Sequence, residues 1–189
     1  MFKYLMIYPI NFNSKNSLNL FGLKDNFNFL STLYQTSKLP KILMFTGKKG
    51  LGKSTLINHF LFSIFDEKNY DKDKLILSEA SILYKQFQND IFPNIIYIEG
   101  SDFKSVKIED IRNLKKRIYQ STILNKDRFI VFNDIELFNI NSLNALLKII
   151  EEPSKNNYFF LINNQSKPLL ETIKSRALEI KIVLKEIKD

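Results

Sequence analysis

Ile42-Leu-Met-Phe45-Thr-Gly47-Lys48-Lys49-Gly50-Leu51-Gly52-Lys53-Ser54-Thr55 decides the fold. A short apolar run passes directly into the pattern G-x-x-x-x-G-K-[ST]. Behind it, Leu56, Ile57, Phe60, Leu61 and Ile64 recur at helical spacing. Strand, glycine loop and helix in that order are the context that gives the pattern chemical meaning. Glycine reaches backbone angles closed to other residues, so successive N–H groups can turn inward toward phosphate oxygens. The start of the following helix adds partial positive charge. In that setting Lys53 reaches the β- and γ-phosphates, the Ser54 hydroxyl ligates Mg²⁺, and Gly47 through Thr55 line the nucleotide. ATP or ADP with Mg²⁺ is the expected ligand.

Outward from this loop, short apolar runs alternate with helical stripes. The runs are Ile95-Ile-Tyr-Ile98, Phe129-Ile-Val-Phe132 and Tyr158-Phe-Phe-Leu-Ile162. Unbroken apolarity means that both faces are covered, as in central parallel strands. Leu178-Glu-Ile-Lys-Ile-Val183 alternates instead, which places it near an edge. Leu143, Leu146, Leu147 and Ile150 make a second helical stripe, ended by Pro153, which cannot continue a helix. Ile108, Ile111, Leu114 and Ile118 make a third, opened by Glu109 and Asp110 and closed by Lys115, Lys116 and Arg117 in accord with the helix dipole. Residues 66–92 read as a polar helical excursion. The expected architecture is an α/β three-layer sandwich around a parallel five-stranded sheet, the class of the P-loop NTPases, in one domain spanning 1–189.

Composition narrows the chemistry. Without cysteine, thiol catalysis, disulfides and cysteine-ligated zinc are all excluded, and the one histidine, His59, lies near the apolar face of the loop helix, where it reads as structural. The net charge of +8 suits contact with DNA phosphates, yet Lys, Asn, Ile and Phe are all abundant, so base composition of the gene explains it equally well. The apolar N-terminus, Met1 to Ile10, is short, is broken by Pro9 and lacks a small-residue cleavage site, so a cytoplasmic protein is expected.

A nucleotide-hydrolysing loop needs carboxylates at the tip of a neighbouring strand, one for the metal and one to polarise water. The tip here is Asn133-Asp134. It is followed by Asn144-Ala-Leu-Leu-Lys-Ile-Ile-Glu-Glu-Pro153, by Tyr158 to Asn164 and by Ile173-Lys-Ser-Arg176-Ala177. Together these segments resemble the bacterial clamp-loader family of DNA polymerase III, within the AAA+ class. Leu20-Phe-Gly22 with Asn26 to Tyr34, and Ile98-Glu-Gly100 with Ile108 to Arg112, extend the likeness over about residues 18–183. The resemblance implies the strand order 178–183, 42–45, 158–162, 129–132, 95–98. It implies that Asn164 senses the γ-phosphate, with Asn163 its neighbour and competitor, and that Arg176 is an arginine finger acting on the adjacent subunit. It also implies as partners the gamma/tau and delta-like subunits and, through the complex, the sliding clamp and primer-template DNA.

Two departures set the expected role. The family's active ATPases carry Asp-Glu where this chain has Asn133-Asp134. Asn133 brings no charge to Mg²⁺, so it is at best a weak metal residue. Asp134 is one methylene short of the glutamate, so it is a doubtful base and a doubtful metal ligand. Glu136, two residues further on, is expected past the strand tip. Such an altered pair is typical of the delta-prime branch, which completes the ring without hydrolysing nucleotide. The implied function is a delta-prime-like component with weak or absent ATPase and a reduced benefit from Mg²⁺. Rival readings are an active gamma/tau-like ATPase with Asp134 as base, a P-loop nucleotide kinase, and a DNA-binding module. The family's lid and collar lie beyond the matched segment and are expected to be missing, as is its zinc module.

Overall fold

The computed structural model describes residues 14–100, 108–118, 126–152 and 156–183. In chain order the elements are α1 (Lys24–Gln35), β1 (Ile42–Thr46), α2 (Lys53–Phe65), β2 (Tyr70–Asp71), β3 (Ile76–Leu77), α3 (Ile82–Gln88), β4 (Ile95–Glu99), α4 (Ile108–Ile118), β5 (Arg128–Asn133), α5 (Ile140–Ile150), β6 (Asn157–Asn163), α6 (Glu171–Lys174) and β7 (Leu178–Lys181). The five long strands form one sheet in the order β4-β5-β6-β1-β7, and every neighbouring pair is parallel. This is the expected order, with the loop strand β1 between β6 and β7.

The unbroken apolar runs follow from this arrangement. Successive side chains of a strand point to opposite faces, so β1 sends Leu43 and Phe45 to one core and Met44 to the other. The first core joins Phe129, Val131, Phe160 and Ile162 to α1 and α2. The second joins Ile130, Phe132, Phe159 and Leu161 to α4, α5 and α6. Ile111, Leu114 and Ile118 are buried, as the third helical stripe requires. β7 pairs with β1 alone and exposes Leu178, and Val183 just beyond it is exposed too, in keeping with an edge. α5 is capped by Asn139, whose side chain accepts from the Ser142 N–H, and ends at Ile150; the N-terminal stretch 1–13 and Pro153 lie outside the described residues.

The excursion at 66–92 differs from its reading. It holds a two-stranded antiparallel ribbon, β2 with β3, a single 3-10 turn at Glu67–Asn69 and one short α-helix, α3. It is not polar on its inner side, where Tyr70, Leu75, Leu77, Leu83, Tyr84 and Phe87 are buried against α2. Two-residue strands are too short to show a period, and charged turn residues such as Asp71, Lys72, Asp73 and Lys74 dominate the composition. The ribbon also engages the N-terminal segment, Leu20 N–H donating to Leu75 O at 3.1 Å and Leu77 N–H to Leu18 O at 2.9 Å.

His59 serves this junction. It is fully buried, with Nε2 3.0 Å from Ser17 O and Nδ1 2.9 Å from the Tyr70 hydroxyl. A carbonyl can only accept, so Nε2 carries the proton and Nδ1 accepts from Tyr70. Burial pulls the ring pKa down to about 4, against the opposing effect of the Ser17 carbonyl.

Candidate nucleotide-binding site

All the elements of the site meet at the carboxyl ends of β1, β5 and β6, where open parallel sheets place their ligands. The loop begins where Thr46 ends β1. A Cβ added at Gly47 would stand 2.5 Å from the Ile182 carbonyl oxygen, so only glycine lets the loop leave the sheet beside the chain that follows β7. Gly52 caps α2 in a left-handed conformation, φ 78°, and offers no side chain to its first N–H groups. The loop closes around its own lysine. Lys53 is 3% exposed, and its Nζ donates to Gly47 O and Lys48 O, both at 2.7 Å. Burial lowers its pKa below the ordinary lysine range, opposed first by the charge of Glu136 and then by that of Asp134. Ser54 and Thr55 open the helix at the half-buried mouth, while Lys48, Lys49 and Gly50 are exposed.

The β5 tip lies across from this loop. Asn133 donates from Nδ2 to Glu99 Oε2, 2.7 Å away at the end of the adjoining strand, and its Oδ1 is buried with no hydrogen-bond partner. Asp134 is buried and left-handed, φ 50° and ψ 45°, a conformation that Asp tolerates better than most residues. It turns the chain into the one-turn helix Ile135–Leu137. Gly100 makes this bend possible, since a Cβ there would lie 2.4 Å from Asp134 O and 3.1 Å from Asn133 O.

The β6 tip separates the two neighbouring asparagines. Asn163 turns its Oδ1 onto the Gln165 N–H at 2.9 Å, which makes it the turn cap. Asn164 sends its Nδ2 to Asp134 Oδ1, and its own N–H donates to Glu136 Oε1 at 3.1 Å. Asn164, Asp134 and Glu136 therefore form one cluster opposite Lys53. Along the sequence Glu136 counts past the tip, and nothing in the spacing points to Glu99. The reversal at Asp134 brings the first back, and strand register alone places the second beside Asn133.

Arg176 is elsewhere. Arg176 lies in the turn before β7, which enters the sheet at Leu178 opposite Leu43, toward the amino end of β1. Four residue steps, about 13 Å, separate Leu43 from Gly47. Its Nε and Nη2 bind Glu151 Oε1 at 3.1 and 2.7 Å, and Nη1 binds Thr172 O at 2.9 Å. Arg176 is thus far from its own loop and partly exposed, held by the glutamate that ends α5.

The model of the family described as DNA polymerase III, delta subunit, matches residues 22–186. The chain belongs to that family. Among curated proteins, the delta-prime subunit of DNA polymerase III from Pseudomonas aeruginosa is 36% identical over 134 residues, covering 70% of this chain and 40% of the relative. The gamma subunit from Buchnera aphidicola subsp. Acyrthosiphon pisum is 24% identical over 164 residues, covering 87% and 44%. The chain thus spans less than half the length of these relatives. Of solved structures, a gamma-subunit-related protein of Thermotoga maritima superposes with a TM-score of 0.54 at 18% identity, covering 83% of this chain and 46% of that one. The RuvB Holliday junction branch migration motor of the same organism gives 0.51 at 17%, covering 90% and 48%. At such identities these two structures speak for the fold alone, helices packed about a parallel five-stranded sheet.

Proposed function

We propose that this chain is a delta-prime-like component of the DNA polymerase III clamp loader, which binds ATP or ADP through residues 47–54, hydrolyses it poorly and presents Arg176 to a neighbouring subunit. The observation that carries the reading is the separation of parts. A closed phosphate loop faces a strand tip lacking the aspartate-glutamate pair, while the arginine lies at the opposite end of the sheet. An arginine so placed cannot reach its own nucleotide, and its planar fork suits the charge that spreads over a transferring phosphoryl group. The family match and the delta-prime relative support the assignment to the ring. The gamma/tau and delta-like subunits are then the direct partners, and the clamp and primer-template DNA are reached through the assembly.

In the binding step, Lys53 must exchange the carbonyls of Gly47 and Lys48 for phosphate oxygens. Ser54 would hold Mg²⁺ together with the phosphates, and Mg²⁺ would supply charge neutralisation there. Asp134 is already bonded to Asn164, so as a base it would first have to give up that contact. Equilibrium titration with ATP and ADP tests the binding half. Lys53→Ala should weaken affinity at least tenfold, and absence of binding by the unchanged chain at millimolar nucleotide would leave the loop a structural element only.

A further inference from the structure

The strand tip carries more negative charge than its sequence pair suggests. Glu136 is 5% exposed and takes three donors on one oxygen: Asn164 N at 3.1 Å, Ser166 N at 3.3 Å and Ser166 Oγ at 2.9 Å. Its other oxygen, Oε2, is buried with no hydrogen-bond partner. A carboxylate needs only one oxygen to anchor a turn. Leaving the second buried and unpartnered is costly unless a cation or its water completes it. The carboxylate as a whole stands within electrostatic reach of the loop lysine. Glu136 exerts the largest carboxylate field on the Lys53 ammonium, ahead of Asp134, and Asn164 bridges the two acids. Among the described residues no group of three or more acids or histidines forms a cage for a metal. A divalent ion there would keep water and phosphate ligands and feel the acids as counter-charges, as magnesium commonly does.

We propose that Glu136 takes the place of the charge missing at Asn133, and with Asp134 balances the divalent cation of a nucleotide held by residues 47–54. This rests on the nucleotide-binding reading above, and it reverses the reduced benefit from Mg²⁺ expected from Asn133 alone. The site keeps two negative charges, moved from positions 133 and 134 to positions 134 and 136. The left-handed turn at Asp134 is what makes the move possible, because it brings a residue two places further on back to the tip.

The test is equilibrium binding of ATP to the full chain, once with Mg²⁺ and once with EDTA, with thermal unfolding as the check on folding. The unchanged chain should bind at least about tenfold more tightly with Mg²⁺. Glu136→Gln should lose most of that ratio while binding in EDTA as well as before or better, since a repulsive charge near the phosphates is gone. Adding Asn133→Asp to Glu136→Gln should restore the ratio. If Glu136→Gln keeps the full ratio, or weakens binding equally in both buffers, Glu136 only anchors the 164–166 turn and the proposal is wrong. If Glu136→Gln does not fold, Asn133→Asp in the unchanged chain decides. With the charge already supplied, the ratio should stay within about threefold, and a tenfold rise would overturn the proposal. Lys53-dependent binding that is indifferent to Mg²⁺ would leave the nucleotide reading standing and remove this one. No binding in either buffer would remove both.

Discussion

Gly100→Ala tests how the site is built. The glycine lies where the chain leaves β4, and its N–H donates to Asn133 O at 2.9 Å. A methyl group there would stand 2.4 Å from Asp134 O, 3.0 Å from Phe138 Cε1 and 3.1 Å from Asn133 O. Two of these neighbours are backbone, so the strand tips must part by about an ångström, the difference from an ordinary contact of roughly 3.5 Å. Forced overpacking of a fitted interior costs about 1–3 kcal/mol, and loss of the Asn133 hydrogen bond adds about 1 kcal/mol. For a chain of 189 residues each kcal/mol lowers the melting temperature by about 2–4 °C. The expected fall is therefore on the order of 4–16 °C by calorimetry or circular dichroism. Because the displaced backbone carries Asp134, ATP affinity should fall as well, measured well below the new melting temperature. An unchanged melting temperature and an unchanged affinity together would refute the claim that Gly100 sets the position of the β5 tip.

Two further outcomes concern stability and turnover. The folded His59 pKa of about 4 lies below the unfolded value near 6.5, so the unfolded chain binds more protons between those values. Its contribution is whole above pH 6.5 and shrinks by roughly 3 kcal/mol as pH falls to about 4; urea unfolding should show that slope, and it should vanish in His59→Gln. The isolated chain should turn over ATP far below one per second, and Asn133→Asp with Asp134→Glu should raise the rate, each ~1.4 kcal/mol regained being tenfold. Ordinary turnover by the unchanged chain would favour the gamma/tau-like reading.

The fold was legible because its signals are local and redundant. Gly47 to Ser54 names a strand, a loop and a helix at once, and apolar runs such as Phe129 to Phe132 can only be strands covered on both faces. The ribbon at 70–77 was hidden because two-residue strands have no period, and its buried side is set by contact with α2 and His59. At the site, the loop residues could be read from spacing, since they follow one another along the chain. Glu136 could not, because its position depends on the left-handed turn at Asp134, which a linear count passes over. Likewise Asn163 and Asn164 are equivalent in sequence, and only hydrogen bonding separates the turn cap from the residue aimed at Asp134.

In the proposed role, this chain lends its arginine to another subunit's nucleotide. Arg176 is fixed by Glu151 at the far end of the sheet from its own loop, so its removal should leave the chain's fold and nucleotide affinity nearly unchanged. The decisive measurement is DNA-dependent ATP hydrolysis by the complex reconstituted with cognate ATPase and delta subunits, comparing Arg176→Ala with the unchanged chain. A trans-acting arginine can contribute roughly 10³ or more in rate at its one site. The expected result is a complex that assembles normally and loses the turnover of that site, with partial activity remaining where other subunits carry their own fingers. A mutant complex that assembles and hydrolyses ATP at the full rate would contradict it.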